Sequence, residues 1–434
     1  MTSQGNNLDR WYGSYAERTA GLAASEVRAL FAVASRPEVV SLAGGMPFVS
    51  ALPRDMVTGA MDRVMRDSGP TALQYGSGQG VPALREHILE VMALEGIRGS
   101  VDDVVVTTGS QHALELVSKI FLDPGDVVLA EGPSYVTAMV VFKSFQAQVE
   151  HVLTDENGLV PDSLREHIAN LKAAGKRVKF LYTVPTFGNP SGITMSWERR
   201  LEVLEICRSN DILVLEDNPY GLLYFDAPPP RAMRSVEEEG VIYLGTFSKT
   251  LAPGFRVGWA LAPHAIREKL ILANEAAVLS PSSFTQMIIS EYLSTADWKG
   301  QIDTFRGVYR ERRDAMLLAL HDYLPDLSWT VPNGGFYVWL KLPDNIDSKS
   351  MLPRAVKELV AYTPGTAFYA DGGGRNHMRL AFCYPTPEFI REGIKRLSTV
   401  INGELELLNT FSLTGPLSTV RPEQNIISPP ANLG

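Results

Sequence analysis

Residues Gly245–Trp259 read GTFSKTLAPGFRVGW and directly follow an apolar, β-branched run that predicts a buried strand. A lysine at the end of such a strand is unusual. Its amine has a pKa of about 10.4 in water, so it becomes a free nucleophile near neutral pH only through burial or a neighbouring cation. Lys249 therefore suits Schiff-base chemistry. Around it, Thr246, Ser248 and Arg256 supply two hydroxyls and a guanidinium, the donors that a dianionic phosphate requires.

Apolar runs on both sides of this stretch alternate with helical patterns. The runs that predict buried strands are Asp103–Thr108, Asp126–Ala130, Val178–Val184, Ile212–Asp217 and Val241–Thr246. Helical patterns cover Gln111–Phe121, Ser163–Ala174 and Ser196–Ser209. Because strands and helices alternate, we expect an α/β fold with a mostly parallel sheet covered on both faces.

The composition of the whole chain narrows the classes of function. Its 434 residues, 45% hydrophobic and 21% charged, can form a large core and exceed the usual size of one domain. The net charge of −9 argues against nucleic acid and anionic membranes as partners. Cys207 and Cys383 lack the paired spacing of metal or redox sites, and the N-terminus lacks a signal-peptide pattern. We therefore expect a cytoplasmic protein with no metal and no membrane span.

Further candidate residues follow predicted strands at their carboxyl ends, where open α/β sheets bind ligands. They are Asp217 and Tyr220 in LEDNPY, Asn189 in PTFGNPSG, and Gly109, Ser110 and Gln111 in TTGSQHA, which begins a helix. Backbone N–H groups at a helix start bind phosphate. Taken singly, each residue has an ordinary explanation, because Asp217 and Asn189 suit turns and Ser110 suits a helix cap.

Together these segments resemble those of the fold type I pyridoxal-phosphate-dependent aminotransferases, over about residues 25–400. The most specific match is the pattern Ser-Lys-x-x-x-Pro-Gly-x-Arg-x-Gly-Trp. The resemblance implies pyridoxal 5′-phosphate as the cofactor, held by Lys249 as a Schiff base. It implies that Asp217 keeps the pyridine nitrogen protonated, so that the ring withdraws electrons from the substrate. Tyr220 and Asn189 would donate hydrogen bonds to the phenolic oxygen, and Lys249, Asp217 and Tyr220 would be the catalytic residues.

The resemblance also identifies residues that would bind the phosphate, stack on the pyridine ring and reach into a second subunit. The residues implied to bind the phosphate are Gly109, Ser110, Gln111, Thr246, Ser248 and Arg256. Tyr135, in EGPSY, matches the aromatic residue that stacks on the pyridine face. Tyr75, in LQYGSGQG, matches a tyrosine that reaches the phosphate of the neighbouring subunit, which implies a homodimer with shared active sites.

Substrate binding is implied in the same way. Arg379, in MRLAF, matches the arginine whose planar fork binds the α-carboxylate of the amino acid. Gly45, Asn189 and Tyr75 are implied to line the substrate site. The segments ASEVRAL and VSLAGGMP resemble the kynurenine and 2-aminoadipate aminotransferase branch, in which Arg28 matches an arginine that meets a side-chain carboxylate. The expected donors are 2-aminoadipate, glutamate, aromatic or branched-chain L-amino acids, with a 2-oxo acid such as 2-oxoglutarate as acceptor.

The implied architecture is a large three-layer domain with a mostly parallel seven-stranded sheet, of the aspartate aminotransferase type, and a smaller α+β domain. We predict an N-terminal arm and part of the small domain in residues 1–50, the large cofactor-binding domain in 51–305 and the small domain in 306–405. Residues 406–434 have little helical periodicity after Leu408 and are predicted to form a flexible tail.

Two alternative functions stay open at this point. The same fold and lysine support β-elimination or decarboxylation, because each passes through a carbanion that the cofactor stabilises. The other alternative is a ligand-sensing, non-catalytic protein with an aminotransferase-like domain, although only about 25 residues precede the matched region, too few for a DNA-binding domain. Product analysis separates the enzymes, since elimination releases ammonia and transamination leaves the amine on the cofactor.

Overall fold

The computed structural model describes residues 9–21 and 36–413, so that Arg28 and residues 414–434 lie outside the described residues. Its strands are β1 (Val40–Ser41), β2 (Val104–Thr107), β3 (Val127–Gly132), β4 (Gln148–Asp155), β5 (Gly158–Leu159), β6 (Val178–Thr183), β7 (Leu213–Asp217), β8 (Val241–Thr246), β9 (Gly258–Leu261), β10 (Ser328–Trp329), β11 (Tyr337–Lys341), β12 (Val360–Ala361), β13 (Thr363–Pro364) and β14 (His377–Ala381). Its α-helices are α1 (Arg54–Ala72), α2 (Pro82–Ala93), α3 (Ser110–Phe121), α4 (Val136–Ser144), α5 (Pro161–Ala173), α6 (Trp197–Ser209), α7 (His264–Val278), α8 (Ser283–Thr295), α9 (Trp298–Tyr323), α10 (Ser348–Lys357) and α11 (Pro387–Leu413). Every helix in the described part of the chain is too short or too polar to cross a membrane.

Eight strands form the large sheet, in the order β2-β9-β8-β7-β6-β3-β4-β5. Neighbours from β8 to β4 run parallel, whereas β9 runs antiparallel between β2 and β8, and the two-residue β5 adds an antiparallel edge. The α/β fold with a mostly parallel sheet is confirmed, and β5 is a short addition to the seven longer strands. Strands β2 and β8 are buried along their whole length, as expected where helices cover both faces of a sheet.

The apolar runs predicted five of the eight strands of this sheet, and β4, β5 and β9 were not predicted. In β4 only Val152 is buried, so this strand lacks the continuous apolar run of its neighbours. Strand β9 has four residues and overlaps the end of the Gly245–Trp259 stretch. Helix α6 begins after Ser196, as its sequence indicates, because the Ser196 hydroxyl accepts a hydrogen bond from the backbone N–H of Arg199 at 3.3 Å.

A second, four-stranded sheet lies in the C-terminal part of the chain, with the order β10-β11-β14-β13 and antiparallel neighbours. Helices α9 and α11 pack against each other, and one buried cluster joins their apolar side chains to those of β11 and β14. Strand β1 pairs in parallel with β12, which ties residues 40–41 to this part of the molecule. The predicted boundary between residues 305 and 306 falls inside α9, which continues without a break, and the division into domains stays a prediction.

Helix α11 contradicts part of the predicted tail. It runs from Pro387 to Leu413, so the prediction of a flexible segment is wrong for residues 406–413. Ile401, Leu405 and Leu408 follow one another at helical spacing and belong to or pack against the buried cluster of the C-terminal part. That apolar stripe extends the helix beyond the point where the polar composition of the C-terminus suggested an end.

Candidate active site

The carboxyl ends of β2, β3, β6, β7 and β8 lie at one edge of the large sheet, because these five strands run in the same direction. The loops that follow them contribute to a cavity of about 270 Å³. The predicted site residues that line it are Gly45, Ser110, Gln111, Tyr135, Asn189, Asp217, Tyr220, Thr246, Ser248, Lys249, Arg256 and Arg379. Most of them come shortly after a strand end, which is where parallel α/β sheets bind ligands.

Lys249 follows β8 by three residues and extends its amine into the cavity. Its Nζ donates a hydrogen bond to the carbonyl oxygen of Gly45 at 3.1 Å and lies 5.6 Å from the ring centroid of Phe336. Burial of the amine, helped by the positive charges of Arg379 and Arg256, lowers its pKa to about 8. A substantial fraction of the amine is therefore neutral at slightly alkaline pH, as a nucleophile or a base requires.

Asp217 is the last residue of β7 and is 3% exposed. Its Oδ2 accepts a hydrogen bond from the Tyr182 hydroxyl at 2.8 Å, whereas its Oδ1 is buried without a hydrogen-bond partner among the described residues. Burial raises the pKa of this carboxyl to about 6, against the opposing effect of the Tyr182 hydrogen bond. An unpaired buried oxygen destabilises the protein unless a donor faces it, so Oδ1 suits a protonated ring nitrogen.

Hydrogen-bond donors gather in another part of the cavity, here called the phosphate side (Ser110, Gln111, Thr246, Ser248 and Arg256). The Thr246 hydroxyl donates to the Ser248 hydroxyl at 3.0 Å, and Nη1 of Arg256 donates to the same oxygen at 3.4 Å. Helix α3 begins at Ser110, so its first backbone N–H groups have no acceptor within the helix. These groups are suited to an anion with several oxygens.

Glycine is required where the phosphate side is most crowded. Gly109 has φ of 85°, a conformation that favours glycine, and a Cβ at this position would lie 2.5 Å from Nη2 of Arg256. A Cβ on Gly258, in β9, would lie 2.5 Å from the backbone nitrogen of Ser110. The two glycines therefore allow the lysine stretch and the turn before α3 to approach each other closely.

Arg379 lies in β14 and belongs, with Asn189, Asp217 and Tyr220, to the buried side of the cavity. Its side chain is 4% exposed; Nη1 donates to Oδ1 of Asn189 at 2.8 Å and Nη2 donates to the carbonyl oxygen of Ala43 at 2.6 Å. Its Nε has no hydrogen-bond partner in the described part of the chain. The guanidinium is therefore held in one orientation and keeps a donor for a carboxylate. Because Asn189 accepts with its oxygen, its NH₂ group stays available as a donor.

Two predicted residues, Tyr75 and Gly109, are not among those that line this cavity. Tyr75 is 78% exposed, and its hydroxyl makes no hydrogen bond within residues 9–21 and 36–413. Gly109 lies behind the cavity wall, against Arg256. Arg28 lies outside the described residues.

Two tyrosines of the site were missed from the sequence. Tyr182 is in β6 and binds Asp217, and Tyr337 is in β11 and lines the cavity beside Tyr220 and Arg379. Both stand in apolar runs, where aromatic residues are common as plain core residues. The only signal was a hydroxyl in an otherwise apolar strand, since buried tyrosines usually have a hydrogen-bond partner.

The groups around the cavity fit pyridoxal 5′-phosphate. This cofactor needs an acceptor for its pyridine nitrogen, an amine for its aldehyde carbon and several donors for its phosphate. Asp217 Oδ1, Lys249 Nζ and the phosphate side supply these three kinds of group. Within the described residues, no group of three or more His, Cys, Asp or Glu side chains is arranged to hold a metal ion.

Comparison with known proteins agrees with this chemistry. The family model for aminotransferase class I and II matches residues 40–397. The chain is similar to aromatic-amino-acid aminotransferase 1 of Thermococcus litoralis, with 42% identity over 396 residues that cover 90% of this chain and 95% of that protein.

Two solved structures extend the comparison to the fold. The kynurenine aminotransferase of Pyrococcus horikoshii, solved in complex with PMP, has 40% identity and a TM-score of 0.88, and the match covers 92% of this chain and 99% of that one. The α-aminoadipate aminotransferase of Thermus thermophilus, solved with N-(5′-phosphopyridoxyl)-L-leucine, has 34% identity and a TM-score of 0.84, with the same coverage of 92% and 99%.

Proposed function

The chain belongs to the class I and II aminotransferases, and we propose that Lys249, Asp217 and Arg379 carry the transamination of aromatic and acidic amino acids in the cavity described above. It is an aminotransferase that uses pyridoxal 5′-phosphate. One observation carries the assignment of the residues. The cavity holds both the amine of Lys249, whose pKa is lowered to about 8, and the unpartnered oxygen Oδ1 of Asp217.

Lys249 has two tasks in this proposal. When bound, pyridoxal 5′-phosphate supplies an aldehyde carbon that accepts amino groups and a ring that withdraws electrons from the α-carbon of the substrate. The Lys249 amine would hold the cofactor in the absence of substrate. Once the amino acid has displaced it, Nζ would act as the base that takes the α-proton and as the acid that returns it. Its lowered pKa leaves part of the amine unprotonated, which this transfer needs.

Asp217 acts on the ring nitrogen. Tyr182 occupies Oδ2, so that Oδ1 is the oxygen left to accept a hydrogen bond from a protonated pyridine. A positive partner next to Oδ1 would favour the ionised carboxylate, so the pKa of Asp217 should fall below its value of about 6 when the cofactor is bound. The pair keeps the ring positively charged and therefore electron-withdrawing.

Arg379 orients the amino acid. Its contacts to Asn189, Ala43 and Tyr337 fix the guanidinium before any substrate arrives. Binding of the α-carboxylate then orders no free side chain, which lowers the entropic cost of association. Asn189 and Tyr220 remain as donors to the phenolic oxygen of the cofactor.

The proposed donors are aromatic amino acids, kynurenine, 2-aminoadipate and glutamate, with 2-oxoglutarate as an acceptor. The names of the relatives support this range, because they include an aromatic-amino-acid, a kynurenine and an α-aminoadipate aminotransferase. Arg28 is the proposed partner of an acidic side chain.

A half-reaction tests the proposal. Purified enzyme with bound cofactor is mixed with one amino acid at a time, and the loss of absorbance of the lysine-bound cofactor is followed together with formation of pyridoxamine phosphate. We expect conversion with aromatic donors, and with 2-aminoadipate if Arg28 acts as proposed. An Arg28→Gln variant should lose the acidic donors alone. Release of ammonia without pyridoxamine phosphate would indicate β-elimination instead.

We further propose a homodimer in which Tyr75 of one copy completes the phosphate side of the other. The support is that Tyr75 is 78% exposed, while Gln111 and Arg256 on the phosphate side are also exposed. A hydrogen bond from a tyrosine hydroxyl to a dianion would satisfy both surfaces. Sedimentation at concentrations around those used for catalysis should show a dimer, and a monomer with full activity would exclude shared sites.

A cytoplasmic location completes the proposal. Cys207 and Cys383 are both free and buried, and burial raises the pKa of each thiol to about 12. Free thiols persist in a reducing compartment. Fractionation of the source cells should recover the activity with other cytoplasmic enzymes.

A further inference from the structure

Tyr337, in β11, touches three residues of the proposed site, and we infer that it is a positioning residue whose hydroxyl tunes Tyr220 and whose ring orients Arg379. The inference rests on the proposed function, because Tyr220 and Arg379 have their roles only in that reaction. Tyr337 is 3% exposed and lines the same cavity as both. The two parts of its side chain make separate contacts, which allows them to be tested separately.

The hydroxyl of Tyr220 donates a hydrogen bond to the hydroxyl of Tyr337 at 3.3 Å, and this direction must reverse once Tyr220 has another acceptor. The two rings meet edge to face, with centroids 6.0 Å apart and an interplanar angle of 87°. Each hydroxyl has one hydrogen. If Tyr220 donates its hydrogen to the phenolic oxygen of the cofactor, Tyr337 must donate to the oxygen of Tyr220. A hydroxyl that accepts a hydrogen bond becomes a stronger donor, so Tyr337 strengthens the bond that Tyr220 makes.

The ring of Tyr337 lies against the guanidinium of Arg379, with the guanidinium carbon 4.3 Å from the ring centroid. Phe368 provides a second ring at 4.9 Å. A cation over an aromatic face is attracted by the ring, most strongly where water is excluded. Arg379 is therefore kept in one plane by aromatic contacts as well as by its hydrogen bonds, and the ring of Tyr337 is sufficient for that contact.

Gly45 provides the third contact and explains why a hydroxyl fits at this place. A Cβ on Gly45 would overlap the Tyr337 hydroxyl, so glycine at 45 and tyrosine at 337 are matched. The carbonyl oxygen of Gly45 accepts the hydrogen bond from Lys249 Nζ. The Tyr337 hydroxyl thus lies between Tyr220 and the backbone segment next to the reacting amine.

Three holoenzymes test the role of the hydroxyl: Tyr337→Phe, Tyr220→Phe and the double variant. The readout is the pH titration of the absorbance of the bound cofactor, without substrate. A hydrogen bond to the phenolic oxygen stabilises its negative charge and so lowers the pKa of the link between Lys249 and the cofactor. We expect Tyr220→Phe to raise that pKa by about one to two pH units and Tyr337→Phe to raise it by about half a unit.

The double variant decides whether Tyr337 acts through Tyr220. We expect it to titrate like Tyr220→Phe alone, because the Tyr337 hydroxyl then has nothing left to strengthen. Tyr292→Phe is the matched control, since Tyr292 is a buried tyrosine in α8, outside the cavity, and it should leave the titration unchanged. An unchanged titration in Tyr337→Phe, or additive shifts in the double variant, would overturn the role of the hydroxyl.

Kinetics test the role of the ring. Tyr337→Phe keeps the ring and should change KM for the amino acid less than twofold, whereas Tyr337→Leu should raise KM by about 2- to 30-fold. Equal KM values in the two variants would overturn the role of the ring. If Tyr337→Leu does not fold, the test rests on Tyr337→Phe, and a raised KM in that variant would overturn the role of the ring. Failure of the proposed function is distinct, because the unmodified enzyme would then convert no donor.

Discussion

The two sides of the cavity differ in how completely one chain encloses them. On the buried side, Asp217 and Arg379 are 3% and 4% exposed, and both have hydrogen-bond partners within the chain. On the phosphate side, Thr246 and Ser248 are buried as well, but Gln111 and Arg256 are exposed. Hydrogen bonds and charge interactions weaken in contact with water, so the exposed side gains most from an additional protein surface. The groups for proton transfer are thus arranged within one chain, whereas the phosphate side is where the proposed second copy would add Tyr75.

The largest effect on turnover is expected from loss of the Lys249 amine, which lies between the two sides of the cavity. Lys249→Ala should lower turnover by about 10⁴-fold, at the upper end of what a positioned acid–base group contributes. Folding should persist, because the amine has one hydrogen bond, to the Gly45 carbonyl. Steady-state kinetics and thermal unfolding measure the two outcomes. Lys172→Ala, at an exposed position in α5, is the control. Appreciable turnover in Lys249→Ala would place the base elsewhere.

On the buried side, Asp217→Asn should lower turnover by about 10³-fold and yet stabilise the protein without cofactor. Burial raises the folded-state pKa of Asp217 to about 6 from 3.8, so stability is lost as pH rises through this window and stays lower above it. The variant removes that loss, which amounts to at most about 3 kcal/mol. Thermal unfolding of the apoprotein should therefore separate variant and wild type at pH 8 and much less at pH 4. An equal separation at both pH values would contradict the buried charge.

On the phosphate side, Tyr75→Phe should weaken cofactor binding by about 10- to 100-fold, the worth of one hydrogen bond to a charged group. Tyr384→Phe, another exposed tyrosine, is the control and should leave the affinity unchanged. Fluorescence titration of the apoprotein with the cofactor measures both.

Mixed dimers test the role of Tyr75 through enzyme activity, without a measurement of cofactor affinity. A dimer of one Tyr75→Phe chain and one Lys249→Ala chain contains one site with an intact lysine that receives an intact Tyr75 from the other chain. We expect such dimers to show half the activity per dimer of the wild type at cofactor concentrations that leave the Tyr75→Phe enzyme largely empty. Activity no higher than that of the Tyr75→Phe enzyme would mean that Tyr75 acts within its own chain.

The smallest effect is expected at the loop that carries Phe368 against Arg379. The ring of His151 accepts a hydrogen bond from the backbone N–H of Ala370 at 2.8 Å. Burial lowers the pKa of this ring, and the positive charge of Lys143 lowers it further. The opposing influences, which raise the pKa, are a hydrogen bond to the backbone of Glu131 and the charges of Asp371 and Glu150. Since the folded-state pKa is lowered, stability is complete above the unfolded value near 6.5 and is lost as pH falls below it.

His151→Gln tests this loop, because glutamine keeps an acceptor for Ala370 and does not titrate. Between pH 8 and pH 5 the free energy of unfolding of the wild type should fall by about 1 kcal/mol more than that of the variant. Chemical unfolding at the two pH values measures the difference. If the free energy of unfolding falls equally in both proteins between pH 8 and pH 5, then His151 stays neutral or its hydrogen bond to Ala370 does not stabilise the fold.

The sequence predicted the two sides unequally, for physical reasons. Asp217, Asn189 and Lys249 follow buried strands, and strand direction alone brings such residues to one edge of a sheet. Tyr182 and Tyr337 were not predicted because their partners are set by tertiary packing: Tyr182 reaches Asp217 on the neighbouring strand, and Tyr337 reaches Tyr220, 117 residues away. The end of α11 was placed too early because local composition hid an apolar stripe that matters only beside the small sheet. The role of Tyr75 rests on the resemblance alone, because its hydroxyl makes no hydrogen bond among the described residues.

The unbroken helix α9 limits how this protein can be divided. At 1.5 Å per residue its 26 residues span about 39 Å, across the predicted boundary between residues 305 and 306. Phe305 and Tyr309 lie on either side of that boundary, and their buried rings stack with centroids 5.9 Å apart. Fragments expressed separately from a cut at this point would each carry only part of this helix and an uncovered aromatic surface. Such fragments should aggregate when produced singly and recover a native fold only when produced together.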